Sequence, residues 1–182
     1  LGAVSRVGFN LSTEDEPERI RGARVTATLF PLLGARPRTG RLFTAEEDRP
    51  GGPPVCVIGD ALWRRHFGGR DGIVGSTLKI DGEAHTVVGV MPAGFQFPAT
   101  ADLWLPAELN APRTSRTAHN YAAIGRLRDG VSAAQGSADL SAIAQDIIRQ
   151  SPEKGDYLMR DAAAVPLQSS LTRRVGSTLY VL

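Results

Sequence analysis

Lysine is almost missing from this 182-residue chain: Lys79 and Lys154 are the only two among 21 basic residues. The cationic surface is therefore nearly all guanidinium, which suits bidentate carboxylate or phosphate contacts and ion pairs. Cys56 is the one cysteine, which excludes an internal disulfide and a cysteine-based zinc cage. No apolar run approaches the roughly 20 residues needed to cross a bilayer; stretches such as Val55 to Ile58 and Val87 to Met91 are far shorter. A surplus of one charge sign is also lacking, since 21 basic against 19 acidic residues leave a net charge of +2. That is too little for binding a polyanion by charge alone, so a dedicated nucleic-acid binder is excluded. What is present is ordinary: 42% hydrophobic and 22% charged residues, enough apolar surface for one domain or two small lobes without metal or disulfide support.

The chain opens at Leu1 with neither a charged n-region nor an apolar h-region, and it closes on the apolar Thr178 to Leu182. These ends give the expectation of an excised piece cut where a hydrophobic segment begins. Between them, alternation of apolar and polar residues predicts strands over 4–11 and 19–28. A single helical turn is expected at Phe30 to Leu33, stopped by Gly34. The continuous apolar run Val55 to Ile58 reads as a buried strand. Asp60 is the expected N-cap of a helix through Phe67, with Trp63 and Phe67 on one face and Gly68-Gly69 as its end. Thr77 to Ile80 and Ala84 to Met91 flank Asp81-Gly82, the preferred central pair of a tight hairpin turn. Strands follow at 102–106 and 120–127, with a mobile polar connection expected at 107–118. Apolar residues at 131, 134, 140, 143, 144, 147 and 148 then predict one packed amphipathic helix, with Ser132 as N-cap. Tyr157 to Val165 reads as a strand and Leu167 to Leu182 as helical.

The search for chemistry returns no catalytic, cofactor-binding or metal-ligating residue. His66, His85 and His119 lie in different elements, and none has a partner at metal-binding helical spacing. Glu46, Glu47 and Asp48 form the densest carboxylate group, expected as a solvated helix start, and the alternating oxygens of a calcium loop are missing. Neither G-x-x-x-x-G-K-[ST] nor G-x-G-x-x-G occurs, so Gly68, Gly69 and Gly72 read as helix-end and turn glycines. No G-x-S-x-G elbow is present, and Cys56 lies in an apolar strand, where a thiol is inert. Arg64 and Arg65 beside Trp63, His66 and Phe67 could contact an anion, but on a helix the arginines face water and the aromatics the core. Arg173-Arg174 near the apolar C-terminus is placed as an interfacial anchor.

Val25-Thr26-Ala27-Thr28-Leu29-Phe30-Pro31-Leu32-Leu33-Gly34-Ala35-Arg36-Pro37, then Gly40-Arg41-Leu42-Phe43-Thr44, resembles the segment V-S-x-x-Y/F-F-x-x-L-G-V-x-P-x-x-G-R-x-F of MacB-like periplasmic core domains. These belong to permeases of the FtsX/MacB type of ABC transporter. Further matches come in order: Pro54 to Ile58, Trp63 to Gly68, Ile73 to Gly75, Val87 to Pro92, Phe95 to Pro98, Asp102 to Pro106, and Arg126 to Ser132. The resemblance covers roughly residues 19–150. It implies an α+β fold with two lobes: a βαβ-type lobe built from both chain ends, 1–40 and 118–170, and a mostly β lobe, 41–117, inserted between them. In the family more sequence precedes the region matching Val4, so the first lobe is expected to be incomplete, and residues 171–182 are expected to start the following transmembrane helix.

The function the resemblance implies is that of a non-catalytic extracytoplasmic domain, on the periplasmic face of the bacterial inner membrane. It would couple ATP-driven motion of transmembrane helices to export, lipoprotein release or activation of a partner. Implied partners are its own transmembrane helices, a second permease copy or half, a cytoplasmic ABC ATPase subunit or domain, and a periplasmic adaptor or lipoprotein; no cofactor and no nucleic acid are implied. Two other readings stand beside it. One is an extracytoplasmic module binding a peptide or carbohydrate through Trp63, Trp104 and the Phe95/Phe97 loop. The other is a small hydrolase using His66 or His85 with distant acidic partners.

Overall fold

A computed structural model of the chain describes residues 1–12, 17–109, 120–150 and 162–176. Alternating residues build a long first strand, β1 (Gly2–Ser12), which turns back into β2 (Glu18–Val25) with Phe9 facing Ile20 across the pair. Thr26 to Thr28, expected within the second strand, instead turn the chain into the short helix α1 (Leu29–Leu32). Gly34 follows with φ of 69° and stops it. A two-residue strand β3 (Thr39–Gly40) precedes the proline-bounded β4 (Val55–Ile58), every residue of which is buried. Helix α2 (Asp60–Phe67) comes next, then the hairpin β5 (Thr77–Ile80) and β6 (Glu83–Val90), and then β7 (Leu103–Pro106). The hairpin turns at Asp81 (φ 49°) and Gly82 (φ 88°), both in the left-handed region that a two-residue hairpin turn demands.

Strands β1, β2, β7, β4, β6 and β5 pair in that order, and β5 returns to β1, so the pairings form a closed circuit of six strands. Two contacts, β2 with β7 and β4 with β6, are parallel and the rest antiparallel. A sheet closed on itself has an inner and an outer face, and strand residues alternate between them. The inner set takes side chains from all six strands, including Phe9, Leu11, Ile20, Cys56, Ile58, Leu78, Ile80, Val87, Leu103 and Leu105; α2 adds Leu62 and Trp63. The outer set, Val4, Ala23, Val25, Val55, Val57, Val88 and Trp104, packs under α1 and under Phe43, with Phe95 and Phe97 against it. Val88 is the extra residue of a bulge: Cys56 pairs with Val87 and Val57 with Gly89. The bulge shifts the alternation of β6, so Val87 and Val90 both point inward while Val88 points out.

The chain divides into two compact units, Leu1–Gly125 and Arg126–Leu182. This division differs from the lobes expected at 1–40 with 118–170 and at 41–117. Strands β1 and β2 hydrogen-bond to β5 and β7 in one sheet, and both cores draw on residues from either side of position 40. The α+β class holds, with a mixed sheet and few helices. The last strand among the described residues, β8 (Ala122–Ile124), covers three residues of the expected 120–127 and pairs with the start of β1.

In the second unit, α3 (Ala133–Gln150) starts on the expected Ser132. Its hydroxyl accepts from the Gln135 amide nitrogen (3.2 Å), while the Gln135 side-chain oxygen accepts from the Ser132 amide (2.8 Å), a reciprocal capping box. The expectation that this helix packs its apolar face is corrected: Gly136 and Ala144 are buried, but Leu140, Ile143 and Ile147 are exposed. Residues 162–166 form no strand, and the rest of the expected strand lies outside the described residues. Helix α4 (Leu167–Gly176) realises the described part of the expected C-terminal helix. Among the described residues no helix is long and apolar enough to cross a membrane; of the expected start of a transmembrane helix at 171–182, residues 177–182 lie outside them.

Candidate functional site

The carboxylates of the Glu46 to Asp48 turn are not a solvated helix start. Glu46 is exposed, but Glu47 is buried and Asp48 half-buried, because both are committed to neighbouring groups. Arg41 donates to both oxygens of Glu47, at 2.8 and 2.6 Å, and the Thr44 amide donates to Oε2 at 2.8 Å. The hydrogen bond from Arg41, with further help from Thr44 and the guanidinium charge, holds the Glu47 carboxyl below the usual carboxylate range against the opposing effect of burial. Asp48 accepts the amides of Ala27 (2.9 Å), Ala107 (3.0 Å) and Glu108 (3.1 Å). One short turn thus ties together the ends of β2 and β7. Thr44 and Glu47 make the reciprocal bonds of a capping box, but around a turn and not a helix.

Asp60 was expected to cap α2. Gly59 occupies the cap position without a side-chain bond, and Asp60 stands in the first turn, buried. There its carboxylate accepts from Arg64 Nε (2.7 Å) and Arg38 (3.2 Å). Both guanidiniums lie over the Trp63 ring, at 5.2 and 5.8 Å from its centre, within cation–π range. The Trp63 indole N–H donates to the Arg70 carbonyl at 3.0 Å, so α2 is fixed by its aromatic residue from several sides. At the other end of the helix, Arg65 and His66 contact the Glu18 carboxylate at the start of β2. Gly68, at φ of 62°, and Gly69 close the helix as expected, returning their amides to Arg64 and Trp63.

The three histidines are not brought together. His66 belongs to the α2 contact just described, His85 is buried on β6, and His119 lies outside the described residues. His85 lines a cleft of about 290 Å³ with Arg24, Glu83, Leu105, Pro106 and Glu108, and its Nδ1 faces the Glu83 carbonyl at 3.1 Å. That cleft has no serine or cysteine on its wall, so the geometry supplies no nucleophile beside the imidazole. Among the described residues no group of three or more His, Cys, Asp or Glu is placed to hold a metal. Cys56 is buried on the inner face, and burial pushes its thiol up to about 12.

Of the aromatic residues considered for a binding module, the two tryptophans are core residues, and Phe95 and Phe97 are half-buried against the outer core. Trp104 is fully buried, stacked edge-on against Phe30 at 5.9 Å and beside Phe95 at 5.6 Å, with its indole N–H bound to the Phe97 carbonyl. Trp63 is 5% exposed. An aromatic platform for a sugar or peptide needs an open ring face, and neither tryptophan offers one.

A family model described as the MacB-like periplasmic core domain matches residues 2–143. No curated protein matches the chain in sequence. Among solved structures, the periplasmic region of MacB from Actinobacillus actinomycetemcomitans is similar, with a TM-score of 0.61 and 15% identity, over 99% of this chain and 76% of that one. So is the extracellular domain of the noncanonic ABC-type transporter YknZ from Gram-positive bacteria, with a TM-score of 0.60 and 17% identity, over 84% of this chain and 76% of that one. A domain of a putative permease protein from Porphyromonas gingivalis has a TM-score of 0.58 and 17% identity, over 95% of this chain and 78% of that one. At such identities the structural likeness speaks for the fold.

Proposed function

Because the chain belongs to the MacB-like periplasmic core domain family, we propose that it is the extracytoplasmic domain of an ABC transporter permease and acts as a relay rather than a catalyst. The observation that carries this reading is the family match itself, which runs through the whole strand circuit and into α3. The role is to pass motion of the transmembrane helices to events outside the membrane: export, lipoprotein release or activation of a partner. ATP is bound by a separate subunit or domain, since the chain has no phosphate-binding loop with its lysine. The closed circuit supports a relay on physical grounds. A sheet with cores on both faces and its strands paired around a circuit resists bending, so a push at one place displaces the unit as a body.

The test is made in the full permease with its ATPase. Replacing the segment by an unrelated folded domain of similar size should abolish transport while nucleotide binding by the ATPase persists. Full transport by the replaced permease would overturn the relay. Sidedness is tested separately: with Cys56→Ala, an exposed Arg36→Cys should react with a membrane-impermeant maleimide in intact spheroplasts. Labelling only after lysis would place the domain on the wrong side.

A further inference from the structure

The outer face of the β1–β2 pair carries three arginines that the circuit leaves uncovered. Arg6, Arg19 and Arg21 are all exposed, and no acid pairs with them among the described residues. Register puts them together. Arg21 stands directly opposite Gly8, Arg19 opposite Asn10 and Arg6 opposite Ala23, so all three share the face on which Ala23 is buried: Arg21 is the direct and Arg19 a diagonal neighbour of Gly8, and Arg6 lies two residues before Gly8 on the same strand. Diagonal neighbours on a sheet are about 7–8 Å apart at their Cα atoms. The Arg19 guanidinium lies across Gly8: a Cβ there would meet its nitrogens at 2.9 and 3.0 Å. Arg6, Gly8 and Arg21 also line a cleft of about 240 Å³, whose other wall is Pro98 to Ala101 just before β7. Asp81, at the edge of this face, is committed to Asn10, whose amide and side chain both donate to it.

Like charges at these positions repel and weaken the sheet. Neutral residues would serve the same outward face at no electrostatic cost, and the absence of a side chain at Gly8 opens the space into which a guanidinium already folds. We propose that Arg6 and Arg21, with the Arg19 guanidinium lying over Gly8 beside them, form a binding site for a phosphate group in the cleft walled by Pro98 to Ala101. Guanidinium forks match phosphate oxygens bidentately. A cleft of this size admits one compact anion, whereas a peptide strand or helix would need a longer groove. The phosphate belongs either to a lipid headgroup or to a soluble phosphate compound. The site does not depend on the transport reading.

The experiment uses the 182-residue chain and three probes: inorganic pyrophosphate by calorimetry, vesicles of phosphatidylglycerol mixed with phosphatidylcholine by co-sedimentation, and an oligoglutamate peptide. Binding of pyrophosphate alone assigns a soluble phosphate, and binding of both phosphate probes, with none to phosphatidylcholine alone, assigns a headgroup. Each of Arg6→Gln and Arg21→Gln should weaken binding by roughly tenfold or more, and the affinity should fall with added salt. Urea melts of both variants should match or exceed the parent, because the exposed arginines touch neither core, so lost binding is not lost folding. Failure of both phosphate probes, preference for oligoglutamate, or undiminished binding in the variants would overturn the site. A control with Glu14→Gln, Asp15→Asn and Glu16→Gln, residues outside the described ones, checks self-pairing. Phosphate binding that emerges only in this variant would mean the chain's own acids fill the cluster, and would also overturn it.

Discussion

Cys56 shows how burial controls a single group. Its thiol is raised from 9.0 to about 12 by desolvation alone, so the folded chain keeps the proton where the unfolded chain loses it. Stability is fully present below about pH 9 and declines as pH rises from there toward 12, because unfolding then releases a proton. Cys56→Ala should flatten that alkaline loss in urea melts, and the native thiol should stay silent toward maleimide at neutral pH until denaturant is added. Glu47 works in the opposite direction. Its carboxyl is held low by Arg41, so its contribution is present above the ordinary carboxylate range and is lost as pH falls through the lowered value. Glu47→Gln should cost about 1 to 3 kcal/mol at pH 7, less than a fully buried pair because the Arg41 side chain is 52% exposed. The parent and variant should converge in acid; a constant gap down to pH 2 would assign the loss to packing.

Among the elements, α2 depends most on one side chain. Trp63 is buried in the inner core, clamped by two guanidiniums and bound through its indole N–H. Trp63→Ala should cost about 3 to 5 kcal/mol, and a loss below about 1 kcal/mol in urea melts would contradict its place in the core. The β5–β6 hairpin depends on the backbone instead. Gly82→Ala forces a Cβ into φ of 88° with open space around it, so the loss of about 1 kcal/mol expected from equilibrium melts would be strain alone. Gly89 is a different case. A Cβ there would sit 2.2 Å from the Arg41 carbonyl, so substitution would push β3 off β6 and cost more than the Gly82 change.

On the scale of the molecule, every residue of the two large buried clusters lies before Arg126. A chain ended at Gly125 should therefore keep a cooperative melt and native near-ultraviolet circular dichroism. Loss of both would show that the second unit completes the first. The relay reading also predicts that the 182-residue chain hydrolyses no ATP, and turnover by the isolated chain would contradict it.

Much of this was legible along the chain because it rests on local rules. The left-handed pair at Asp81-Gly82, the glycine stop of α2, the Ser132 cap and the buried run at Val55 to Ile58 follow from backbone preference and short-range periodicity, and an ordered series of short motifs marked the family. Charged residues were less legible. Glu47 reads as solvated and Asp60 as a helix cap in sequence, since only their partners Arg41 and Arg38 and the turn around them make burial tolerable. The return of β5 to β1 was also hidden, because a pairing between residues about seventy apart leaves no local pattern. Alternation says which side chains share a face, but not which strand lies beside it. Closure, the bulge at Val88 and the gathering of Arg6, Arg19 and Arg21 around Gly8 were therefore decided by tertiary pairing alone.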